Sequence, residues 1–205
     1  MIDSYDKLSI GKYLELMEIV DNEEIDEVDK NVEIVALLDD RPVEMVYDLP
    51  LMEFNSLMQK TNFLQTTPKP LQVSTKYNLG GMKLETVLDL TSLTTAQFID
   101  YQTFVKDKTK MVELLSVFLI PKGKKYNTDY DIIEVQKVIR ENLPITVALG
   151  MSAFFFDLYK ALLTATTTSL TRRMKRMIRK EKDKEKKEQM ELALQLFQQS
   201  GVGSL

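Results

Sequence analysis

Apolar and polar residues recur at helical spacing along most of this chain, which predicts short amphipathic helices separated by turns. The most apolar run is residues 143–163, LPITVALGMSAFFFDLYKALL, with Asn142 expected as its N-cap and Pro144 at its first helical position. Asp157 and Lys160 interrupt this run well before the roughly 20 apolar residues that a membrane span needs. We therefore predict a buried core helix.

The helical pattern occurs twice along the chain. LSIGKYLEL at 8–16, with Ser9 as its cap, aligns with LTTAQFIDY at 93–101. KNVEIVALL at 30–38 aligns with KMVELLSVF at 110–118. A Leu-Pro pair then opens a helix in both halves, at 49–50 and at 143–144. These ordered matches predict two related helical units.

Between the two units lies the one strong β signal. LQVSTKYNL and MKLETVLDL flank Gly80-Gly81, and two glycines between strand-like runs are typical of a tight hairpin turn. Residues 120–131, IPKGKKYNTDYD, form an insertion that predicts an exposed loop. Its lysines and tyrosines are either a basic-aromatic contact site or, as we favour, solvated lysines beside tyrosines packed on the core.

The predicted fold class is mainly α with a small β-hairpin, in which the hairpin joins two related helical units and a long charged helix follows. The predicted segments are a helical unit over 1–66, a connector and hairpin over 67–92, a second unit over 93–168 containing the buried helix 143–163, and a charged helix over 169–205.

The charge is distributed unevenly, although the net charge is only −4. Residues 170–188 contain ten Lys and Arg against four Asp and Glu, a local charge of +6, so the remainder carries −10. We predict that one long helix runs from residue 170 to about residue 199, with a second apolar stripe over 190–197. The candidate partner-binding residues are Arg172, Arg173, Lys175, Arg176, Arg179, Met190, Leu194 and Phe197.

The composition removes most catalytic chemistry. The chain has no cysteine and no histidine, which excludes thiolate nucleophiles, zinc–thiolate sites and every mechanism that needs an imidazole. Neither a GxxxxGK[ST] nor a GxGxxG pattern is present. The carboxylate pairs Asp39-Asp40 and Asp129/Asp131 read as solvated turns, so we assign no metal. We predict a non-enzymatic protein without a cofactor.

Three partner classes fit a basic helix. Nucleic acid is disfavoured because the interleaved acidic residues repel phosphates and no aromatic platform accompanies the cluster. A membrane surface is disfavoured because the apolar stripe lapses where the charge is densest. A protein partner, or self-association into a homo-oligomer through 190–197, is the favoured interpretation.

Several stretches together resemble tailed-phage virion-assembly proteins, in particular the tail assembly chaperone class. They are LSIGKYLEL, NVEIVALL and DLPLMEF in the first half, and LTTAQFIDY, VELLSVFLIPKGKKYN and NLPITVALGMSAFFFDL in the second. The similarity covers roughly residues 8–165 and does not include the basic C-terminal segment.

The resemblance implies a mostly helical, non-enzymatic protein of the infected host's cytoplasm that holds the tape-measure protein until the tail tube forms around it. The first residues, which carry two aspartates and no apolar core, also predict no signal peptide. The alternative is a structural virion component, such as a connector, ring or baseplate subunit, in which case the chain would remain in the particle.

Overall fold

A computed structural model describes residues 1–89, 92–105, 107–180 and 183–199. It confirms a mainly α fold with a small β element. The chain divides into two compact units, Met1–Phe154 and a second that begins at Phe155. The elements are α1 Ile10–Asp21, α2 Glu27–Asp39, α3 Val43–Tyr47, α4 Leu51–Lys60, β1 Lys76–Leu79, β2 Met82–Thr86, α5 Thr95–Phe104, α6 Met111–Phe118, β3 Leu119–Pro121, α7 Ile132–Asn142, α8 Ile145–Lys180 and α9 Lys184–Gln199.

The first helix group comprises α1 to α4. Ser9 caps α1 as predicted, because its hydroxyl accepts a hydrogen bond from the Lys12 backbone amide. Asp40 ends α2 with a φ of 55°, the left-handed conformation that closes many helices. Helix α2 packs against α1, α3 and α4. Its core consists of Val32, Val35, Ala36, Val46 and Leu57.

The second helix group comprises α5 to α8 and begins in a similar way. Thr94 accepts from the Gln97 amide while the Gln97 side chain accepts from the Thr94 amide, which completes a capping box. Helix α6 packs against α5 and α7, much as α2 packs against α1 and α3. The same order of helices and contacts agrees with two related units, and their relation stays a prediction.

Both helix groups contribute to the first compact unit. Helix α1 packs against α7, and the chain before α1 pairs with the chain before α8. The Ile10 amide donates to the Leu143 carbonyl at 3.0 Å, and the Ile145 amide donates to the Leu8 carbonyl at 2.8 Å. All four residues are fully buried. The predicted segment 1–66 and the part of segment 93–168 up to Phe154 therefore belong to one compact unit.

The hairpin forms where it was predicted. Strands β1 and β2 pair antiparallel around Gly80 and Gly81, whose φ values of 53° and 84° suit a turn that favours glycine. A third strand, β3, pairs antiparallel with β2 and was not predicted. Its three residues continue directly from α6, and a strand that short has no periodicity of its own.

The start of the apolar helix differs from the prediction. Asn142 is not its N-cap but the last residue of α7, and its side chain donates to the Val138 carbonyl. Helix α8 starts at Ile145, so Pro144 precedes the first helical position rather than occupying it. The reason is tertiary, since Leu143 and Pro144 are extended and pair with the chain before α1.

Helix α8 is buried on one side rather than all round. Ile145, Ala148 and Met151 are fully buried, whereas Phe156 is 42% exposed. The side chains of residues 158–170, which include the rest of the predicted apolar stripes, are outside the described part of the chain. The backbone remains helical without a break to Lys180.

The predicted single helix from 170 to 199 is divided between two elements. Its first part is the end of α8, and its second part is α9. Asp183 precedes α9 and accepts a hydrogen bond from the Lys186 amide at 3.2 Å, which is the geometry of a helix N-cap. Among so many charged residues, this single aspartate carried no distinctive signal in the sequence.

Candidate partner-binding surfaces

The basic segment, defined as residues 170–188, places the five predicted cations on one element. Arg172, Arg173, Lys175, Arg176 and Arg179 all lie on the last turns of α8, and all are exposed. Exposed guanidinium groups are free to form paired hydrogen bonds with the carboxylates of a partner.

The three predicted apolar contact residues lie on the other C-terminal helix, α9. Met190 is half-buried and Leu194 is buried, while the Phe197 side chain lies outside the described residues. The structure therefore groups the predicted cations on α8 and separates them in the chain from the predicted apolar stripe.

An apolar side chain lies among the cations of the basic segment. Met177 is 46% exposed, and Arg173 and Lys180 are four residues before and three residues after it. Residues at these spacings are neighbours on one helix face. Arg173, Met177 and Lys180 thus form a face with a polarizable apolar centre between two positive charges.

A second surface, absent from the sequence predictions, lies where α3 meets α4. We call it the α3–α4 corner and define it by the exposed apolar residues Met45, Tyr47, Leu51 and Met52. Leu51 is 72% exposed and Met52 is 87% exposed. Single exposed apolar residues are common, but four within eight residues are a local concentration of exposed apolar surface, and such concentrations often mark interaction sites.

The α3–α4 corner is supported from inside the unit. Val46 and Leu57 are buried in the core formed with α2, so both short helices are fixed by their inner faces. The Glu53 Oε1 atom lies 3.4 Å from the Arg41 Nη1 atom, and this ion pair joins α4 to the residues that follow α2. The sequence did contain a signal for this surface, in the consecutive apolar residues at 45–47 and 49–52. A short helix buries only one face, so consecutive apolar residues cannot all be buried.

Carboxylates surround the α3–α4 corner. Glu44 lies on α3, Glu53 on α4 and Asp48 in the turn between them, and all three are exposed. The Tyr47 hydroxyl donates to Asp29 at 2.6 Å. That hydrogen bond raises the pKa of Tyr47, and the charges of Asp29, Glu33 and Asp26 raise it further. The corner is therefore an apolar patch in a negative environment.

The 120–131 loop favours the interpretation in which its tyrosines pack on the protein. Tyr126 and Tyr130 are half-buried, and the lysines are exposed. The Tyr126 hydroxyl donates to Asp100 at 2.8 Å. Burial and then this hydrogen bond raise the pKa of Tyr126 well above its usual range. The aromatic rings are thus used in holding the loop.

No arrangement suited to a metal ion was found in the described ranges, where no three Asp or Glu side chains converge. Likewise, no described helix has both the length and the apolar character required to cross a bilayer. No protein-family model, curated protein or solved structure matches this chain.

Proposed function

We propose that this chain is a non-enzymatic assembly chaperone of a tailed phage, which holds a helical client such as the tape-measure protein in the host cytoplasm. The proposal starts from the sequence resemblance over residues 8–165. It is supported by the absence of histidine and cysteine and by a mainly helical fold. The observation that carries it is the set of five exposed cations on the last turns of α8.

The basic segment gives the proposed client a defined chemistry. A client helix with an apolar stripe beside Asp or Glu would place apolar side chains on Met177 and carboxylates beside Arg173 and Lys180. Charge complementarity of this kind accelerates encounter and sets the register of the complex. The apolar contact contributes the part of the affinity that salt does not screen.

The test is co-expression with the tape-measure protein of the phage that encodes this chain. We expect a soluble complex that co-purifies and elutes as one species on a sizing column. Arg173→Glu/Arg176→Glu/Lys180→Glu should lower recovery of the client by about tenfold or more, because positive charges on and beside the proposed contact face become negative. The matched control is Lys122→Glu/Lys124→Glu/Lys125→Glu, which makes the same change of charge in the exposed 120–131 loop.

Two results would contradict the proposal. One is a tape-measure protein that remains insoluble and unbound in the presence of the wild-type chain. The other is a stoichiometric copy number of this chain in purified particles, which would support the structural virion component instead. If the basic-segment variant and the loop control lose the client equally, the basic segment is not a specific part of the binding surface.

A further inference from the structure

The exposed α3–α4 corner has no role in the proposed function, yet it exposes four large apolar side chains within eight residues. Met45, Leu51 and Met52 have at least 60% of their surface exposed. Their neighbours Val46 and Leu57 are buried, so the outward position of these side chains follows from how α3 and α4 pack. A surface that is apolar and held in place is suited to binding a partner.

Its charge indicates what kind of partner. Residues 21–60 contain twelve Asp and Glu against three Lys and Arg, a local net charge of −9. Three of these carboxylates, Glu44, Asp48 and Glu53, lie exposed on α3, in the turn after it and on α4. A matching partner needs apolar side chains among positive charges.

The chain itself contains a segment of that kind. The basic segment has a local charge of +6 and presents Met177 between Arg173 and Lys180 on one helix face. Both the corner and this face are exposed in the single chain. We infer that the α3–α4 corner of one copy binds the basic segment of a second copy.

In such a contact Leu51 and Met52 would pack against Met177, while Glu44, Asp48 and Glu53 would pair with the arginines. Because the two surfaces differ, the contact is heterologous, and a pair of copies keeps one free corner and one free basic segment. Repetition gives a closed ring or an open chain of subunits. The inference goes beyond the proposed function and does not need the client.

The experiment is sedimentation velocity of the full chain over a range of concentrations. We expect the average mass to rise with concentration at about 50 mM salt, and the dissociation constant to increase by about tenfold or more at about 500 mM salt. Leu51→Lys/Met52→Lys should abolish association, because it puts two positive charges in the corner. Arg173→Gln/Arg176→Gln/Lys180→Gln should also abolish association, because it removes three positive charges from the basic segment.

Mixing these two variants provides the sharpest test. The first variant retains a working basic segment and the second retains a working corner, so the mixture should form a 1:1 dimer that does not grow further. Ile133→Lys is the matched control, because Ile133 is an exposed apolar residue at the start of α7. That variant should associate like the wild type. Circular dichroism melting establishes that each variant is folded.

Three results would overturn the inference. A wild-type chain that stays monomeric up to about 100 µM excludes a contact between copies of useful strength. A chain whose corner binds its own basic segment would also stay monomeric, and that result would equally contradict the inference. Association lost only in the corner variant indicates a symmetric corner-to-corner contact. Association retained in both variants indicates another surface, such as the α9 stripe. Client binding by the corner variant tests the proposed function separately.

Discussion

The two Leu-Pro pairs of this chain begin helices in the same way but are used in opposite ways. Leu49-Pro50 precedes α4 and lies beside the exposed α3–α4 corner. Leu143-Pro144 precedes α8, where Leu143 is fully buried and pairs with the chain before α1. The local sequence decides that a helix starts at each pair, and the surroundings decide whether that start is a surface or part of the core.

The charges of the two helix groups show the same contrast. Residues 21–60 carry −9, whereas residues 95–150 contain seven Asp and Glu and eight Lys and Arg, a net charge of +1. The acidity of the chain is thus concentrated in the group whose Leu-Pro pair lies beside the exposed corner. Two groups with a similar order of helices therefore differ in net charge and in whether the start of the helix after the Leu-Pro pair is exposed or buried.

The largest expected effect is on stability, from truncating the two leucines. Leu143→Ala should lower the free energy of unfolding by about 3 kcal/mol, because it leaves a cavity at a fully buried site. Leu49→Ala should cost about 1 kcal/mol, since Leu49 is only half-buried against the α2 core. Urea unfolding of both variants measures the difference, and equal losses would contradict the contrast.

The second prediction concerns the next turns of the same two helices. A Cβ atom on Gly150 would lie 1.8 Å from the Leu71 carbonyl oxygen, because residues 70–73 cross α8 at this glycine. Gly150→Ala should therefore lower the unfolding free energy by about 2 to 3 kcal/mol.

Ser56 occupies the matching position after Leu49-Pro50 and is exposed, so it provides the control. Ser56→Ala should change stability by less than about 0.5 kcal/mol. Thermal melting of both variants measures the pair. A stable Gly150→Ala protein would mean that the 70–73 segment does not lie against α8.

The smallest expected effect compares the two helix caps. Thr94→Ala should cost about 1.5 kcal/mol because it removes a hydroxyl that both accepts from the Gln97 amide and donates to the Gln97 side chain, whereas Ser9→Ala should cost about 1 kcal/mol. Thr94→Ser is the control that retains the hydroxyl. Chemical denaturation of the three variants measures the ranking. A larger loss of unfolding free energy in Ser9→Ala than in Thr94→Ala would contradict it.

Local signals in the sequence were sufficient for the helices and the hairpin. Helical periodicity, the Ser9 cap and Gly80-Gly81 depend on interactions among residues a few positions apart, which is why they could be recognised without the fold. The basic segment was also visible, because charge is a property of composition. The structure places its five cations exposed on α8, and their role in binding a partner stays a prediction.

Only the tertiary structure decided which faces are exposed. The pairing of β3 with β2, the extended Leu143-Pro144 beside α1 and the close approach at Gly150 all join residues far apart in the sequence. The α3–α4 corner is exposed because the core formed with α2 takes other side chains from these two helices, burying Val46 and Leu57 and partly covering Val43, Phe54 and Met58. The sequence by itself determined where helices form and where charge accumulates, since both are local properties. Which apolar residues remain for a partner was decided by packing, because burial depends on every element that competes for the same core.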